Sequence, residues 1–192
     1  TKTYSSASTG FVFPLGAPTL APVALPAKYT PAEITINGVP ASYGTITVVP
    51  VGIEHPNTTT KNRSLTYYWR VKSGGGFNLG AATVSHSYSY STADVVVSGI
   101  DPTEDQYVPA RFDRVSNTWT RGTSASINIA TNTISSPWLS NTGNIDGEYT
   151  AGDDNSINPF GAPLIFYSRI NGAAAGSGLW SNANTWSFTS HT

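Results

Sequence analysis

The chain reads as all-β, an antiparallel β-sandwich of eight or nine short strands. Three observations predict it. Apolar and polar residues alternate with a period of two in run after run, as in a strand with one buried face. The runs are short and are separated by Gly, Asn, Asp and Pro, the residues that make turns. No segment repeats its apolar residues every three to four positions as a core-facing helix would. Ser and Thr, roughly a quarter of the 192 residues, favour turns and strands over helices.

The elements follow in order. Residues 1–32 form a Pro-rich N-terminal segment, in which Pro14, Pro18, Pro22, Pro26 and Pro31 remove backbone donors and exclude a long helix or a central strand. Its apolar runs FVF (11–13) and PVAL (22–25) are too greasy for a free linker and read as short edge strands. Residues 33–170 form the sandwich. EITI (33–36) leads to a turn at Asn37–Gly38, and GTITVVPV (44–51) follows with Ile46 and Val48 on one face. SLTYYWRVK (64–72) is the cleanest strand. Leu65, Tyr67, Trp69 and Val71 point to the core, while Thr66, Tyr68, Arg70 and Lys72 point to water. TVSHSYSY (83–90) repeats the pattern, with Val84, His86, Tyr88 and Tyr90 inward. Further strands are expected within DVVV (94–97), YVPARFDR (107–114), SASINIA (124–130) and LIFYSRI (164–170). The stretch 139–163 between the last two reads as one long acidic loop with a short strand inside. Residues 171–192 are a small-residue linker, NGAAAGSG, and the start of a following unit with Trp180 and Trp186.

Composition removes several functional classes. Ten Lys and Arg against eleven Asp and Glu leave a net charge of −1, and only 11% of residues are charged, against about 25% in ordinary domains. Without a basic cluster there is no footprint for a phosphate backbone, so no nucleic-acid partner is expected. No window approaches the ~20 consecutive apolar residues of a membrane span, so no membrane insertion is expected. The absence of Cys excludes disulfides, thiolate catalysis and Cys-ligated metal.

The motifs of catalysis are missing too. There is no G-x-S-x-G elbow, and His55, His86 and His191 have no metal-binding spacing. His86 reads as a packed, hydrogen-bonded core residue. The acidic stretch IDGEYTAGDDN offers Asp146, Glu148, Asp153, Asp154 and Asn155 as candidate calcium ligands, since hard cations take six to eight oxygens from such loops. It lacks EF-hand spacing, and Asx-turns and solvated loop charges are the stronger reading of it. Trp119 in NTWTRG and Trp138 in SSPWLSN stand in polar, turn-like contexts and are the candidate rings of a carbohydrate platform. A Cys-free sandwich can also be stapled by joining a Lys to an amide side chain. The available amines are Lys2, Lys28, Lys61 and Lys72.

Three patches carry a resemblance: TITVVPVGIEHP with LTYYWRVKS (45–73), IDGEYTAGDD (145–154), and FYSRINGAAAGSGLWSNANTWS (166–187), joined by FVFPLG near the start. Together they resemble modules of large secreted surface proteins of the Bacteroidota exported by the type IX route. In those modules an Ig-like sandwich precedes a segment opening on a similar W-x-x-x-x-x-W-S phrase. The resemblance implies an Ig-like fold and a secreted, extracellular or cell-surface location; its motifs are structural, and the family has no agreed biochemical activity or site residues to carry over. The expectation is therefore a non-enzymatic structural or adhesive module of a surface protein or extracellular fibre, with no cofactor beyond a possible calcium. Its partners would be neighbouring modules or further copies of itself. The alternative is a carbohydrate-binding module that holds polysaccharide on Trp119, Trp138 and the acidic loop.

Overall fold

The computed structural model describes residues 1–5, 10–17, 28–96, 104–122, 126–136, 145–153, 159–161, 167–168 and 186–187. Chain contacts divide it into two units, Thr1–Gly161 and Ala162–Thr192.

In the first unit the period-two runs become two antiparallel sheets. The strands are β1 (Lys2–Thr3), β2 (Phe11–Phe13), β3 (Gly16–Ala17), β4 (Lys28–Tyr29), β5 (Ala32–Asn37), β6 (Thr45–Val51), β7 (Tyr68–Gly74), β8 (Thr83–Ser89), β9 (Tyr107–Asp113), β10 (Thr118–Arg121), β11 (Ile127–Asn128), β12 (Thr133–Ser136) and β13 (Gly147–Asp153). The six-stranded sheet runs β1-β6-β7-β13-β9-β10 and the five-stranded sheet β11-β12-β8-β5-β2, while β3 and β4 pair with each other. The excess over eight or nine strands comes mainly from two- and three-residue pieces at the sheet margins.

The core lies between the two sheets. Ile46, Val48, Trp69, Val71 and Tyr149 of one meet Ile34, Ile36, Val84, Tyr88 and Ile134 of the other. Trp69 and Tyr88 lie 5.1 Å apart, and Tyr88 stacks on Tyr149 at 5.2 Å, a spacing favoured by offset aromatic pairs. Trp69 donates its indole N–H to the Thr30 carbonyl at 3.0 Å, so the largest core side chain leaves no polar atom unpaired. His86 is buried in this layer, with Nδ1 2.8 Å from the Tyr88 hydroxyl. The Asn37–Gly38 turn forms as expected, with Gly38 at φ 92°, where a side chain is strained.

Both marginal N-terminal strands pair with their own domain. Lys2 lies opposite Ile46 and Phe11 opposite Ile34. FVF is thus an edge strand of the five-stranded sheet, and Phe13 is buried in the core. PVAL (22–25) lies outside the described residues.

Four sequence expectations are corrected. The run 139–163 contains more than a loop with a short insert. Its β13 is seven residues long, buried throughout, and lies in the interior of the six-stranded sheet between β7 and β9. NTWTRG is a strand, β10, and the turn precedes it: Asp113 Oδ1 accepts the N–H groups of Val115 and Ser116, and Asn117 takes φ 56°. That conformation suits Asn, whose short polar side chain tolerates the left-handed region. DVVV opens as a single 3-10 turn, Thr92–Asp94, capped by Ser91, whose Oγ accepts the Ala93 N–H. Val97 lies outside the described residues. Finally, the second face of β7 is only partly wetted, because Tyr68 is buried there. Residues of the segment 52–63 cross that face, and His55 meets the Tyr68 ring at 4.7 Å.

In the second unit, β14 (Tyr167–Ser168) pairs antiparallel with β15 (Trp186–Ser187). Their pairing partners are each other, and LIFYSRI contributes two described strand residues.

Candidate functional site

On the outer face of the six-stranded sheet, the interior strand β13 carries a carboxylate, Glu148. Tyr149 points into the sandwich core, so its neighbour Glu148 must point the other way. Its register partners are Arg70 on β7 and Phe112 on β9. Glu148 is 1% exposed. An isolated charge there would be prohibitive, and three side chains answer it. Arg70 donates Nε–H to Oε1 at 2.5 Å. His55 Nε2 lies 2.8 Å from Oε2, and Arg114 Nε lies 3.4 Å from the same oxygen.

The histidine's tautomer follows from its other nitrogen. The Asn57 backbone N–H donates to Nδ1 at 3.1 Å, so the ring proton sits on Nε2 and is donated to Glu148. Burial lowers the His55 pKa from 6.5, and the bond from Glu148 only partly offsets this; Lys61 and Arg114 push it down further. For Glu148, burial alone would raise the pKa. The bonds from His55 and Arg70 outweigh burial and hold it below 4.5. The resulting state is a neutral imidazole beside an ionised carboxylate. Both ring nitrogens are engaged, which leaves neither directed at solvent as a base.

Trp119 closes the other side of His55. Its ring meets His55 at 4.7 Å, Phe160 at 4.8 Å and Phe112 at 5.0 Å, and its N–H donates to the Asn57 carbonyl at 3.1 Å. With Val108, Ala110 and Phe160 it forms a second small core that pins residues 55–59 onto the sheet. Sequence context placed Trp119 as an open ring. The register of β10 sets it opposite Phe112, and the ring is half-buried against His55, Phe112 and Phe160. Trp138 lies outside the described residues.

The candidate calcium ligands are dispersed along β13. Asp146 precedes the strand and Asp153 ends it, roughly 23 Å apart at about 3.3 Å per residue, so they share no coordination shell, whose oxygens lie about 2.3–2.6 Å from the ion. Asp146 pairs with Lys72 and accepts the Ser73 N–H at 2.6 Å. Burial would raise its pKa, but these partners lower it on balance. Asp153 faces Arg63 at 3.3 Å. Asp154 and Asn155 lie outside the described residues. Among the described residues, no three His, Asp or Glu side chains converge as a metal site.

Beside Glu148 the surface opens into a groove of about 330 Å3. Arg70, Lys72 and Arg114 line it with Asp113, Asp146 and Glu148. Three cations balance three anions, and most are already paired to one another. Arg70 and Lys72 lie on the face that the alternation of 64–72 assigns them, and nothing in that alternation links them to Glu148. The available signal was the alternation in GEYTAG, which puts Glu148 and Tyr149 on opposite faces. His55 had no signal, since it lies in an irregular segment 93 residues from its partner. No known protein family, curated protein or solved structure matches the chain.

Proposed function

We propose that the chain is a non-catalytic structural and adhesive module of a secreted cell-surface protein or extracellular fibre. The observation that carries this reading is the disposition of the N-terminal strands. β1 lies on an edge of one sheet and β2 on an edge of the other, each paired within its own domain. A strand given to a neighbour's sheet would leave such an edge open. Strands used in cis complete their own domain's sheets, as suits a self-contained unit that spaces or displays what flanks it. The Glu148 cluster agrees with this role: its charges are spent on each other and on fastening residues 55–59, and sturdiness is what such a position supplies.

The test is exposure to the outside in the producing organism. Protease added to intact cells should degrade the module as readily as protease added after lysis. A module protected until lysis overturns the reading.

A further inference from the structure

We propose that Lys28 and Asp94 are joined by an intramolecular isopeptide bond. The two side chains meet as an ion pair, Lys28 Nζ against Asp94 Oδ1, linking β4 to the 3-10 turn at 92–94. Asp94 is completely buried, and the Lys28 side chain is 24% exposed. The backbone holds Asp94 in place from both sides. Its N–H donates to the Ser91 carbonyl at 2.8 Å, and its own carbonyl accepts the Thr66 N–H at 2.9 Å.

The two carboxyl oxygens are treated differently. Oδ1 accepts the Thr66 hydroxyl at 2.9 Å and receives the lysine. Oδ2 is buried and has no hydrogen-bond partner among the described residues. A buried ion pair already bears a heavy desolvation cost, and an unsatisfied carboxylate oxygen adds to it. Condensation removes both charges and expels the unsatisfied atom. The oxygen that remains is the one Thr66 already holds as an acceptor.

The step balances without a co-reactant. A proton passes from the Lys28 ammonium to the Asp94 carboxylate it already contacts. The free amine then attacks Cγ, forming the C–N bond while Thr66 steadies Oδ1. The Cγ–Oδ2 bond breaks, and Oδ2 leaves with the two protons that nitrogen gives up, as one water. The product is a secondary amide that ties β4 to the turn after β8. In a chain without cysteine it supplies the covalent tie that a disulfide would.

The Lys72–Asp146 pair is an internal comparison. It is equally intimate, but its lysine is 72% exposed and both carboxylate oxygens are engaged, one by Lys72 and one by the Ser73 N–H. No condensation is expected there.

Intact-mass measurement of the purified chain decides the proposal. The wild type should be lighter than its sequence by one water, about 18 Da, the balance of amide formation from an amine and a carboxylic acid. Because trypsin does not cut at an acylated lysine, digestion should give a branched peptide in which residues 3–61 are joined to residues 73–111. Lys28→Arg keeps the charge facing Asp94 yet cannot condense, and it should show full mass; Asp94→Ala should do the same. Wild-type protein of full mass, with peptides 3–28 and 73–111 recovered apart, overturns the proposal. A water loss that persists in Lys28→Arg, or that maps to Asp146–Gly147, overturns it as well.

Discussion

His55 and Glu148 meet at 2.8 Å on the outer face of the six-stranded sheet, with side chains 0% and 2% exposed. The contact joins an irregular segment to a central strand. One charged residue thereby sets the position of the segment that covers the sheet, because Glu148 is held from the β7 side by Arg70 and from above by His55.

Removing the carboxylate should therefore cost more than a surface substitution. Glu148→Ala leaves a buried imidazole donor without an acceptor and two guanidinium groups without a counter-ion. Breaking a buried pair from one side costs about 3–5 kcal/mol, and the partial exposure of Arg70 and Arg114 places the expected loss at the low end, about 3 kcal/mol. Glu148→Gln keeps an oxygen for His55 and should lose about half as much. Urea denaturation measures both. Equal losses would show that shape rather than charge matters here.

Acid should weaken the fold before most carboxylates titrate. Burial, and then the Arg111 charge, bring the His86 pKa from 6.5 down to about 3. Between those values the unfolded chain binds a proton that the native chain refuses. Stability therefore falls as pH falls, by about 1.4 kcal/mol per pH unit for that one group. His55 shifts in the same direction. Glu148, held below 4.5, adds a contribution that is complete above that value and is lost as pH drops through its folded pKa. Urea midpoints at pH 7, 6, 5 and 4 should decline throughout, and His86→Gln should flatten the decline between 6 and 4. An unchanged slope in that variant would rule His86 out as its source.

Trp119 should behave as a clamp. Trp119→Ala removes the ring that His55, Phe112 and Phe160 share and leaves the Asn57 carbonyl without its donor. A fully buried Trp or Phe is worth about 3–5 kcal/mol on truncation, so a half-buried one should cost about 2 kcal/mol. Residues 55–61 should become cleavable in limited proteolysis, with the sandwich core still intact. Trp119→Phe should protect most of that segment. A resistant alanine variant would mean that Glu148 and the remaining contacts of the segment, such as the Thr59 N–H to the Pro159 carbonyl, fasten it without the ring.

The fold was legible in the sequence wherever one face of a strand was apolar and the other polar. Runs 33–36, 44–51, 64–72 and 83–90 announced their inward residues because alternation is a local property of the chain. Chemistry-bearing residues were less legible. β13 was hidden because its sequence, GEYTAGD, is buried on both faces and contains Gly and two acids, a composition that local rules assign to loops. The packing of Trp119 was hidden because its polar neighbours describe its strand's exposed positions and say nothing of the Phe112 ring opposite it.

What the sequence determined by itself is the all-β class, the alternating core, the central place of Trp69 and the packed state of His86, since each follows from side chains a few positions apart. What only the tertiary structure decided is which charges find each other. Glu148 with His55, Arg70 and Arg114, and Lys28 with Asp94, are brought together by sheet register and by segments folded over strand ends. Those distances depend on the whole packed chain, and the cost of leaving a buried charge unanswered is what makes these pairings part of the fold.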